Sequence, residues 1–488
     1  MKIKRLLSLM MATVMGLTLF GCGGARAEDS GISPLNANVP AFDDDPEPES
    51  LPFFASLFNA KETPAPVAGE IAKAVYPSAV PYPTEDDYTD ESGSFDSEAY
   101  FQAYEKWSEM VSARPDLTPE ETESLHAFFR DSAKQFLKGD KNRAYSPLNI
   151  YMALAMLSGL TAGNTQAQIL KLLNAETPDA LSVQANRIWN ALYTDDGTST
   201  TILGSSLWLN QTVAFNADTL KKLSETFYAS SYTGEMGSPA FDAALQAWLN
   251  EQTRGLLSEQ AGGVAMSPDT LLALATTIYF KAKWRDQFSE YATKTDVFHA
   301  VSGDRDAPFM RQTYTGNYYK GDGFSAVYKP LWNSGMWLLL PDEDKTPADL
   351  LESGAAMNFI SNPEQYATSS RAEIALSLPK FDVSADLNLI DGLKSLGVTD
   401  AFDGDVSDFS PMSEMEGVEI GQAKHAARVK IDEEGCEAAA FTVMTAIATA
   451  VMTPPPRVEF TLDRPFAFAV TAENLPLFVG VVQTPLDA

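Results

Sequence analysis

The sequence of 488 residues predicts an α+β fold, in one large domain that extends from residue 119 to residue 488. Two features of the residues support this prediction. The domain opens with a strongly marked helix start after Thr118, and its C-terminal part contains a long uncharged segment with the alternation of a strand. Because 45% of all residues are hydrophobic, the domain can bury a sizeable core.

Residues 1–22 are predicted to be an export segment rather than part of the fold. The segment begins with basic residues, continues with apolar residues 6–20, and ends with small residues. Two processing routes remain open. Cys22 lies in a sequence similar to a lipoprotein box and would carry a lipid anchor, which we favour, whereas Ala25-Arg26-Ala27 would allow ordinary cleavage. Both routes predict an exported protein. It is either a bacterial cell-surface lipoprotein, whose one contact with a membrane is the lipid at Cys22, or a secreted, extracellular protein.

Residues 23–118 are predicted to form an acidic, proline-rich tether. Proline and acidic residues dominate this stretch, so its charges repel one another and little apolar surface is available for a core. Aromatic residues recur at helical spacing between residues 97 and 114, which predicts one helix within the tether.

The folded domain is predicted to begin with a helix. Thr118 is a typical N-cap residue, Pro119 suits the first helical turn, and Glu120 and Glu121 lie at the positive end of the helix dipole. The apolar stripe that should face the core consists of Leu125, Phe128, Phe129, Ala133 and Phe136.

The segment 433–456 has the composition of neither an ordinary surface loop nor a core helix. No charged residue lies between residues 438 and 453, and three prolines close the segment. In an extended chain alternate side chains share a face, and here the face that contains Cys436 carries nearly all small residues. The other face carries the bulk, including Phe441. The segment therefore has the pattern of a loop that can also become a strand within a sheet.

Composition and motif content disfavour several classes of function. The chain carries 66 acidic against 35 basic residues, a formal net charge of −31, which disfavours binding to nucleic acid. Its three histidines, His126, His299 and His425, lie in no hydrolase or metal-binding signature. Of the two cysteines, Cys436 remains alone once Cys22 is lipidated or removed. We therefore expect no enzymatic activity, no cofactor, no metal site and no intrachain disulfide.

The start of the segment 433–456, EEGCEAAAFT, resembles the hinge of the serpins, which usually reads Glu-x-Gly-Thr-Glu-Ala-Ala-Ala-x-Thr. Further blocks resemble serpin landmarks, in the order in which the family has them. Each block alone is weakly specific, whereas the ordered set covers residues 119–488. The blocks include AYSPLNI from Ala144, TILGSSLWL from Thr201, LALATTIYFKAKWRDQF from Leu272, LPKF from Leu378 and RPFAF from Arg464.

The resemblance implies the serpin fold, a multi-sheet domain with a bundle of helices and an exposed reactive-centre loop near the C-terminus. It also implies a suicide mechanism in which a serine protease cleaves the loop and forms a covalent acyl bond with it. The freed loop then inserts into the large sheet and distorts the protease before hydrolysis can finish. A papain-like cysteine protease is a second class of target, and the inhibitor is expected to be a monomer. The hinge consists of Glu433, Glu434, Gly435, Cys436, Glu437, Ala438, Ala439 and Ala440, with Gly435 expected to supply backbone angles that other residues resist.

The reactive bond has more than one candidate position. Counting forward from the hinge, as in the family, puts the cut at Thr449-Ala450, whereas counting back from Arg457 favours Val451-Met452 or Met452-Thr453. We prefer the forward count, because the inserted length must fit the sheet. The residues around the preferred cut are small and uncharged, which suits elastase-like or subtilisin-like proteases with shallow pockets and disfavours trypsin-like ones.

Two further groups of residues match the family by position. Glu433 and Lys380, beside Trp284, match an ion pair at the base of the loop, in the region called the breach. The polar cluster beneath the sheet, called the shutter, departs from the family, because Asn149 stands where serine is usual and Thr276 where asparagine is usual. Our hypothesis is that the amide has moved across the cluster and keeps its hydrogen bonds. The shutter residues are Ser146, Asn149, Thr276 and His425.

One alternative function remains open at this point. A protein with the serpin fold can lack inhibitory activity and serve instead as a surface binding module. Non-inhibitory relatives typically carry bulky or charged residues in the hinge, whereas this hinge is mostly alanine. The sequence therefore favours the inhibitor.

Overall fold

The computed structural model of the protein describes residues 69–436 and 455–486. The helices, in chain order, are α1 Ser97–Ser112, α2 Pro119–Phe136, α3 Pro147–Ser158, α4 Gly163–Leu172, α5 Pro178–Leu192, α6 Ala217–Thr226, α7 Pro239–Gln252, α8 Ser258–Ala261, α9 Pro347–Glu352, α10 Ala355–Ser361, α11 Pro363–Tyr366 and α12 Ile390–Ser395. The strands are β1 Gly69–Ala72, β2 Arg143–Tyr145, β3 Thr194–Asp195, β4 Ser199–Asn210, β5 Ala229–Gly234, β6 Leu272–Lys283, β7 Lys294–Ala300, β8 Gly303–Gly321, β9 Phe324–Leu331, β10 Ser334–Pro341, β11 Ala367–Pro379, β12 Phe381–Asn388, β13 Lys424–Ile431, β14 Gly435–Cys436, β15 Arg457–Thr461, β16 Phe466–Ala472 and β17 Leu475–Val482.

The strands form two sheets, and the predicted α+β class is confirmed. The first sheet has the order β1-β5-β4-β6-β14-β13-β12, with β3 paired to β4. The second has the order β15-β11-β8-β9-β10-β16-β17-β2, with β7 paired to β8. Strand β14 belongs to the segment 433–456, which we call the uncharged segment because residues 438–453 carry no charge. It lies between β6 and β13 in the interior of the first sheet. The position of β14 makes this sheet the one on which the site depends.

The helix predicted after Thr118 is confirmed as α2. The Thr118 hydroxyl accepts a hydrogen bond from the Glu121 amide at 3.2 Å, and the Glu121 carboxylate accepts one from the Thr118 amide at 2.8 Å. This reciprocal pair satisfies two amide groups that the first helical turn leaves free. The predicted apolar stripe is buried in the core: Leu125, Phe128, Phe129, Ala133 and Phe136.

Helix α3 lies in the core and carries part of the predicted shutter. Its sequence PLNIYMALAMLS is apolar on nearly every side, and almost all of its residues are buried. Such a helix must be covered on all faces, and α3 packs against β6 of the first sheet and β17 of the second. Ser146 precedes the helix as its N-cap residue, and its hydroxyl accepts a hydrogen bond from the first turn. The capped end therefore lies where α3 meets the first sheet.

The structure differs from the predicted tether over residues 69–117, which we call the N-terminal strap; residues 23–68 lie outside the described part. The strap contributes β1, which pairs with β5, and the predicted helix, which is present as α1 and ends at Ser112. The Tyr76 ring packs against the Trp189 ring with centroids 5.4 Å apart. Aromatic contacts of this kind offset the repulsion between the acidic residues, and composition alone does not reveal them.

Candidate functional site

The base of the uncharged segment is the part of the predicted hinge that the structure describes. Glu433, Glu434, Gly435 and Cys436 lie within the described residues. The rest of the hinge, all three candidate reactive bonds and the predicted lipidation site lie outside them: Glu437, Ala438, Ala439, Ala440, Thr449, Ala450, Val451, Met452, Thr453 and Cys22.

The short strand β14 already occupies a place between β6 and β13. Gly435 and Cys436 pair antiparallel with Lys283 and Ala282 of β6, and Cys436 also pairs with Ile431 of β13. These two residues of the segment thus already lie within the sheet, with β6 on one side and β13 on the other. A longer strand could extend from this start, since both flanking strands continue beyond it.

Cys436 shows which face of the segment points into the core. Its side chain is 4% exposed and lies on the same face as Ala282 and Ile431, both fully buried. Alternate residues of a strand share a face, so a strand continued from β14 in the same register would turn its small-residue face toward the core and its bulky face outward.

Gly435 has a different role from the one predicted. Its φ does not lie in the left-handed region, so the position makes no demand for unusual backbone angles. A Cβ atom added at Gly435 would instead lie 2.3 Å from the carbonyl oxygen of Ala282. Glycine is required here because β14 approaches β6 too closely for any side chain.

The predicted breach pair is present beside the segment. Lys380 Nζ lies 2.6 Å from a carboxylate oxygen of Glu433, whose side chain is 9% exposed. The Thr293 hydroxyl donates to the other oxygen at 2.7 Å. Burial alone would raise the pKa of Glu433, but the hydrogen bonds from Lys380 and Thr293 lower the pKa overall. Glu433 is therefore ionised at neutral pH and held from two sides.

Trp284 holds the main chain around Glu433. Its indole Nε1 donates to the Asp432 carbonyl at 2.9 Å, and its backbone amide donates to the Glu434 carbonyl at 2.9 Å. The ring is 1% exposed, so both hydrogen bonds are shielded from water. The pair of bonds fixes the direction in which the chain enters β14.

Lys329 belongs to the same region and is not among the residues predicted from the sequence. Its ammonium group donates to the Asp286 carbonyl at 2.7 Å and lies 4.9 Å from the Phe288 ring centroid. Burial lowers the pKa of Lys329 to about 8. A single lysine within the otherwise apolar stretch AVYKPLW is the signal that could have identified it.

We expect Glu433→Gln to destabilise the intact protein by about 1–3 kcal/mol, because glutamine leaves Lys380 without its charged partner. The lowered pKa of Glu433 fixes the pH dependence. The stabilisation is fully present above the ordinary pKa of 4.5 and is lost as the pH falls through the lowered value. Denaturant unfolding at a series of pH values should thus show wild type and variant converging in acid. A difference that stays constant at every pH would contradict the assignment.

The four shutter residues are brought together by a chain of hydrogen bonds. The Ser146 amide donates to His425 Nε2 at 3.1 Å, and the Ser146 hydroxyl accepts from the Asn149 amide at 3.2 Å. Asn149 Nδ2 donates to the carbonyl oxygen of Thr276 at 3.3 Å. Thr276 therefore takes part in this hydrogen bond through its main-chain carbonyl and not through its side chain. Burial lowers the pKa of His425 to about 4, so the imidazole is neutral and can accept the amide hydrogen bond.

The shutter spans the two strands that flank β14. Thr276 lies on β6 and His425 lies on β13, while Ser146 and Asn149 belong to the start of α3. An equal number of residues separates Thr276 from Ala282 and His425 from Ile431, so Thr276 and His425 lie at the same level of the sheet. The helix start thus bridges β6 and β13 at a level that an extended β14 would have to pass.

Replacing Asn149 with serine should speed spontaneous entry of the segment into the sheet. The shorter side chain cannot reach the Thr276 carbonyl, and the loss of one hydrogen bond of ~1 kcal/mol corresponds to about a five-fold change in rate. The measurement is the lifetime of the intact protein at raised temperature. Asn186→Ser is a matched control, because it breaks an amide-to-carbonyl bond of 2.7 Å from Asn186 to Thr226, away from the first sheet's interior. Equal lifetimes in the two variants would remove the hypothesis.

A cavity of about 110 Å³ lies at and below the shutter level. Its wall includes Leu245 and Leu249 of α7, Leu272 and Leu274 of β6, and Ala426 of β13. The lining is mostly apolar, so a strand with small uncharged side chains would lose little by entering it. The cavity extends the path that begins at β14.

The described residues offer no candidate membrane span and no candidate metal site. Within residues 69–436 and 455–486, no helix is long and apolar enough to cross a membrane. Within the same ranges, no group of three or more histidine, cysteine, aspartate or glutamate side chains could hold a metal ion.

Comparisons with known proteins agree with the fold. The family model described as "Serpin (serine protease inhibitor)" matches residues 123–485. An uncharacterised serpin-like protein of Thermococcus kodakarensis is 29% identical over 375 residues, which cover 75% of this chain and 85% of that protein. Serpin-ZX of Arabidopsis thaliana is 27% identical over 372 residues, which cover 71% and 93%. The structure of Arabidopsis AtSerpin1 in its native stressed conformation is similar with a TM-score of 0.66 at 25% identity, over 76% of this chain and 100% of that one.

Proposed function

The chain belongs to the serpin family, and from that premise we propose that it inhibits serine endopeptidases by a suicide mechanism. A target protease cleaves the exposed segment and becomes linked to it through an acyl bond. The free end then enters the first sheet between β6 and β13 and carries the protease with it. The observation that carries the proposal is the position of β14, which holds the first two residues of that strand already between β6 and β13.

The register of β14 supports the proposed length of the inserted strand. Strand β6 has 12 residues, and its last residue, Lys283, pairs with Gly435. Continued in the same register, Ala446 would lie opposite Leu272, the first residue of β6. A cut at Thr449-Ala450, or at the alternatives up to Thr453, leaves a strand long enough to use the whole of β6.

The same register supports the proposal on electrostatic grounds. Glu437 is the one charged residue of the segment beyond β14, and it would lie between Lys281 of β6 and Lys430 of β13. All three side chains would share the outer face of the sheet, where Lys430 is exposed to solvent. The charge that would be costly in the core thus falls where two cations stand opposite it.

The small residues around Thr449 favour a protease with a shallow specificity pocket. Ala448, Thr449 and Ala450 carry no charge and little bulk, so we propose an elastase-like or subtilisin-like serine protease as the target. A papain-like cysteine protease could form the corresponding thioester and is a second candidate. We also propose that the inhibitor acts as a monomer.

The decisive experiment mixes the protein with a pancreatic-type elastase and with a subtilisin. An inhibitor of this kind should yield a covalent complex that survives SDS, and the sequence of the released peptide should identify the reactive bond. Clean cleavage of the segment with no complex would contradict the inhibitor and would favour the non-inhibitory binding module. A trypsin serves as the control protease, because no basic residue lies between Glu437 and Pro456.

We further propose that the protein is exported and carries a lipid on Cys22. The support is the sequence pattern of residues 1–22. Incorporation of labelled palmitate into the wild type, with Cys22→Ser as the control, tests the anchor. Label in neither protein would favour secretion after cleavage at Ala25-Arg26-Ala27.

A further inference from the structure

The N-terminal strap, residues 69–117, lies outside the residues that match the family model. Its first part extends the first sheet, because β1 pairs antiparallel with β5. The Ala74 amide then donates to the Ser230 hydroxyl of β5 at 3.1 Å. This part of the strap is thus bound to β5, the outer strand of the block formed by β5, β4 and β6, which we call the β6 block.

Tyr76 binds the strap to the helices next to the β6 block. Its ring packs against Trp189 and Tyr193 at the end of α5, with centroid distances of 5.4 and 5.9 Å. Its hydroxyl donates to Gln252, the last residue of α7, at 3.2 Å. Burial raises the pKa of Tyr76, so the hydroxyl keeps its proton and remains a donor.

The strap is bound a second time at the top of the β6 block. The Tyr82 amide donates to the Asp196 carbonyl at 2.8 Å, and Trp107 Nε1 donates to the Asp196 carboxylate at 3.2 Å. Asp196 is 1% exposed and lies in the turn between β3 and β4. The Tyr82 and Trp107 rings also contact each other edge to face, with centroids 4.9 Å apart. One buried aspartate therefore joins both halves of the strap to the end of β4.

Tyr82 also links the strap to the second sheet. The Tyr82 ring lies 5.9 Å from the ring of Trp332, in the turn between β9 and β10. Lower in the strap, the Arg114 guanidinium donates to Thr194 of β3 at 3.2 Å. Burial lowers the pKa of Arg114, and the attraction of Asp196 and of Glu473, in the turn between β16 and β17, opposes this effect. The strap thus spans the boundary between the β6 block and the second sheet.

Entry of the segment between β6 and β13 requires the β6 block to move away from β13. Strand β14 holds the two apart at its own level, and the shutter joins them lower down. Contacts that tie the β6 block to the second sheet resist this motion, because they must be stretched or lost when the gap widens. The strap supplies such a contact, because Tyr82 packs against Trp332 of the second sheet.

We propose that the N-terminal strap holds the β6 block against the second sheet and so delays loop insertion until the loop is cleaved. The proposal rests on the proposed function, since it concerns the same insertion. The strap gives a chain with this fold an additional restraint on the intact form, supplied by residues that precede the family domain. Removal of the aromatic contacts should shorten the life of the intact inhibitor.

The test uses the full-length protein with Tyr82→Ala and Trp107→Ala combined. The double variant loses the contact of Tyr82 with Trp332, the hydrogen bond from Trp107 to Asp196, and the ring contacts of Tyr82 and Trp107 within the strap. Conversion of the uncleaved protein to a non-inhibitory, heat-resistant form should therefore accelerate about ten-fold or more. Phe101→Ala is the matched control, because Phe101 lies on α1 and is 54% exposed. Tyr76→Phe is a milder second variant, expected to accelerate conversion by up to about five-fold through the loss of one hydrogen bond. It keeps the test valid if the double variant fails to fold.

The outcomes separate the strap from the inhibitory mechanism. Equal lifetimes of wild type, the double variant and Tyr76→Phe would overturn the strap proposal while leaving the inhibitor intact. A fall in melting temperature that is equal in the intact and the cleaved protein, with no change in lifetime, would also overturn it, because the strap would then be a general buttress. If the wild type gains no heat resistance on cleavage, insertion itself is refuted and the strap proposal falls with it.

Discussion

Cleavage of the uncharged segment should raise the melting temperature of the protein by on the order of 10 °C or more. After cleavage the segment can pair with residues 272–281 of β6, beyond the two that β14 already pairs, and with β13 on its other side. Roughly a dozen new hydrogen bonds at ~1 kcal/mol each amount to on the order of 10 kcal/mol. For a domain of this size, a gain of that order corresponds to a shift of on the order of 10 °C. Calorimetry of the intact and the cleaved protein measures the shift directly.

The control for this prediction is cleavage elsewhere in the chain. A nick in the segment that precedes the strap opens no route into the first sheet, so it should leave the melting temperature unchanged. A cleaved protein that melts at or below the temperature of the intact protein would show that insertion provides no driving force. The suicide mechanism would then be untenable for this chain, whatever its family.

Ala438→Glu should convert the inhibitor into a substrate. In the register of β14, residue 438 would lie on the core side of the sheet, opposite Phe280 and Val429, which are 4% and 2% exposed. An unpaired carboxylate there costs about 3–5 kcal/mol, which slows insertion enough for the protease to complete hydrolysis. The measurement is the number of inhibitor molecules consumed for each protease molecule inactivated, which should rise at least ten-fold.

Ala439→Glu is the matched control for the core position. Residue 439 would lie on the other face of the sheet, opposite Tyr279, which is 2% exposed, and Arg428, which binds Asp382 at 2.7 Å. A carboxylate there would share a cation, whereas at residue 438 it would meet only hydrocarbon. The variant should therefore lose less inhibition than Ala438→Glu. Equal loss of inhibition in both variants would mean that the register seen at β14 does not continue along the segment.

Several features of the fold and of the site could be predicted from the sequence because they depend on local pattern. The capping box at Thr118, the apolar stripe of α2 and the helix in residues 97–114 follow from side-chain type and spacing. The partnership of Glu433 with Lys380 was predicted by family resemblance, and the structure places the two side chains 2.6 Å apart.

Other features could not be predicted because they depend on residues far apart in the chain. The role of Gly435 follows from the position of the Ala282 carbonyl, and the buried state of Lys329 follows from the ring of Phe288 and the carbonyl of Asp286. The predicted tether proved to be a bound strap from residue 69 onward, since its tyrosines and tryptophans find partners on α5, α7 and the second sheet.

The sequence by itself determined the character of the segment 433–456: uncharged from residue 438 to residue 453, small on one face, and closed by prolines. Those properties decide whether the segment can become a strand, because they reside in each side chain and in its parity. The tertiary structure alone decided where that strand would go, which face would be buried, and which contacts oppose its entry. Register, the close approach of β14 to β6 and the strap all arise from long-range pairing, whose energy no local pattern contains.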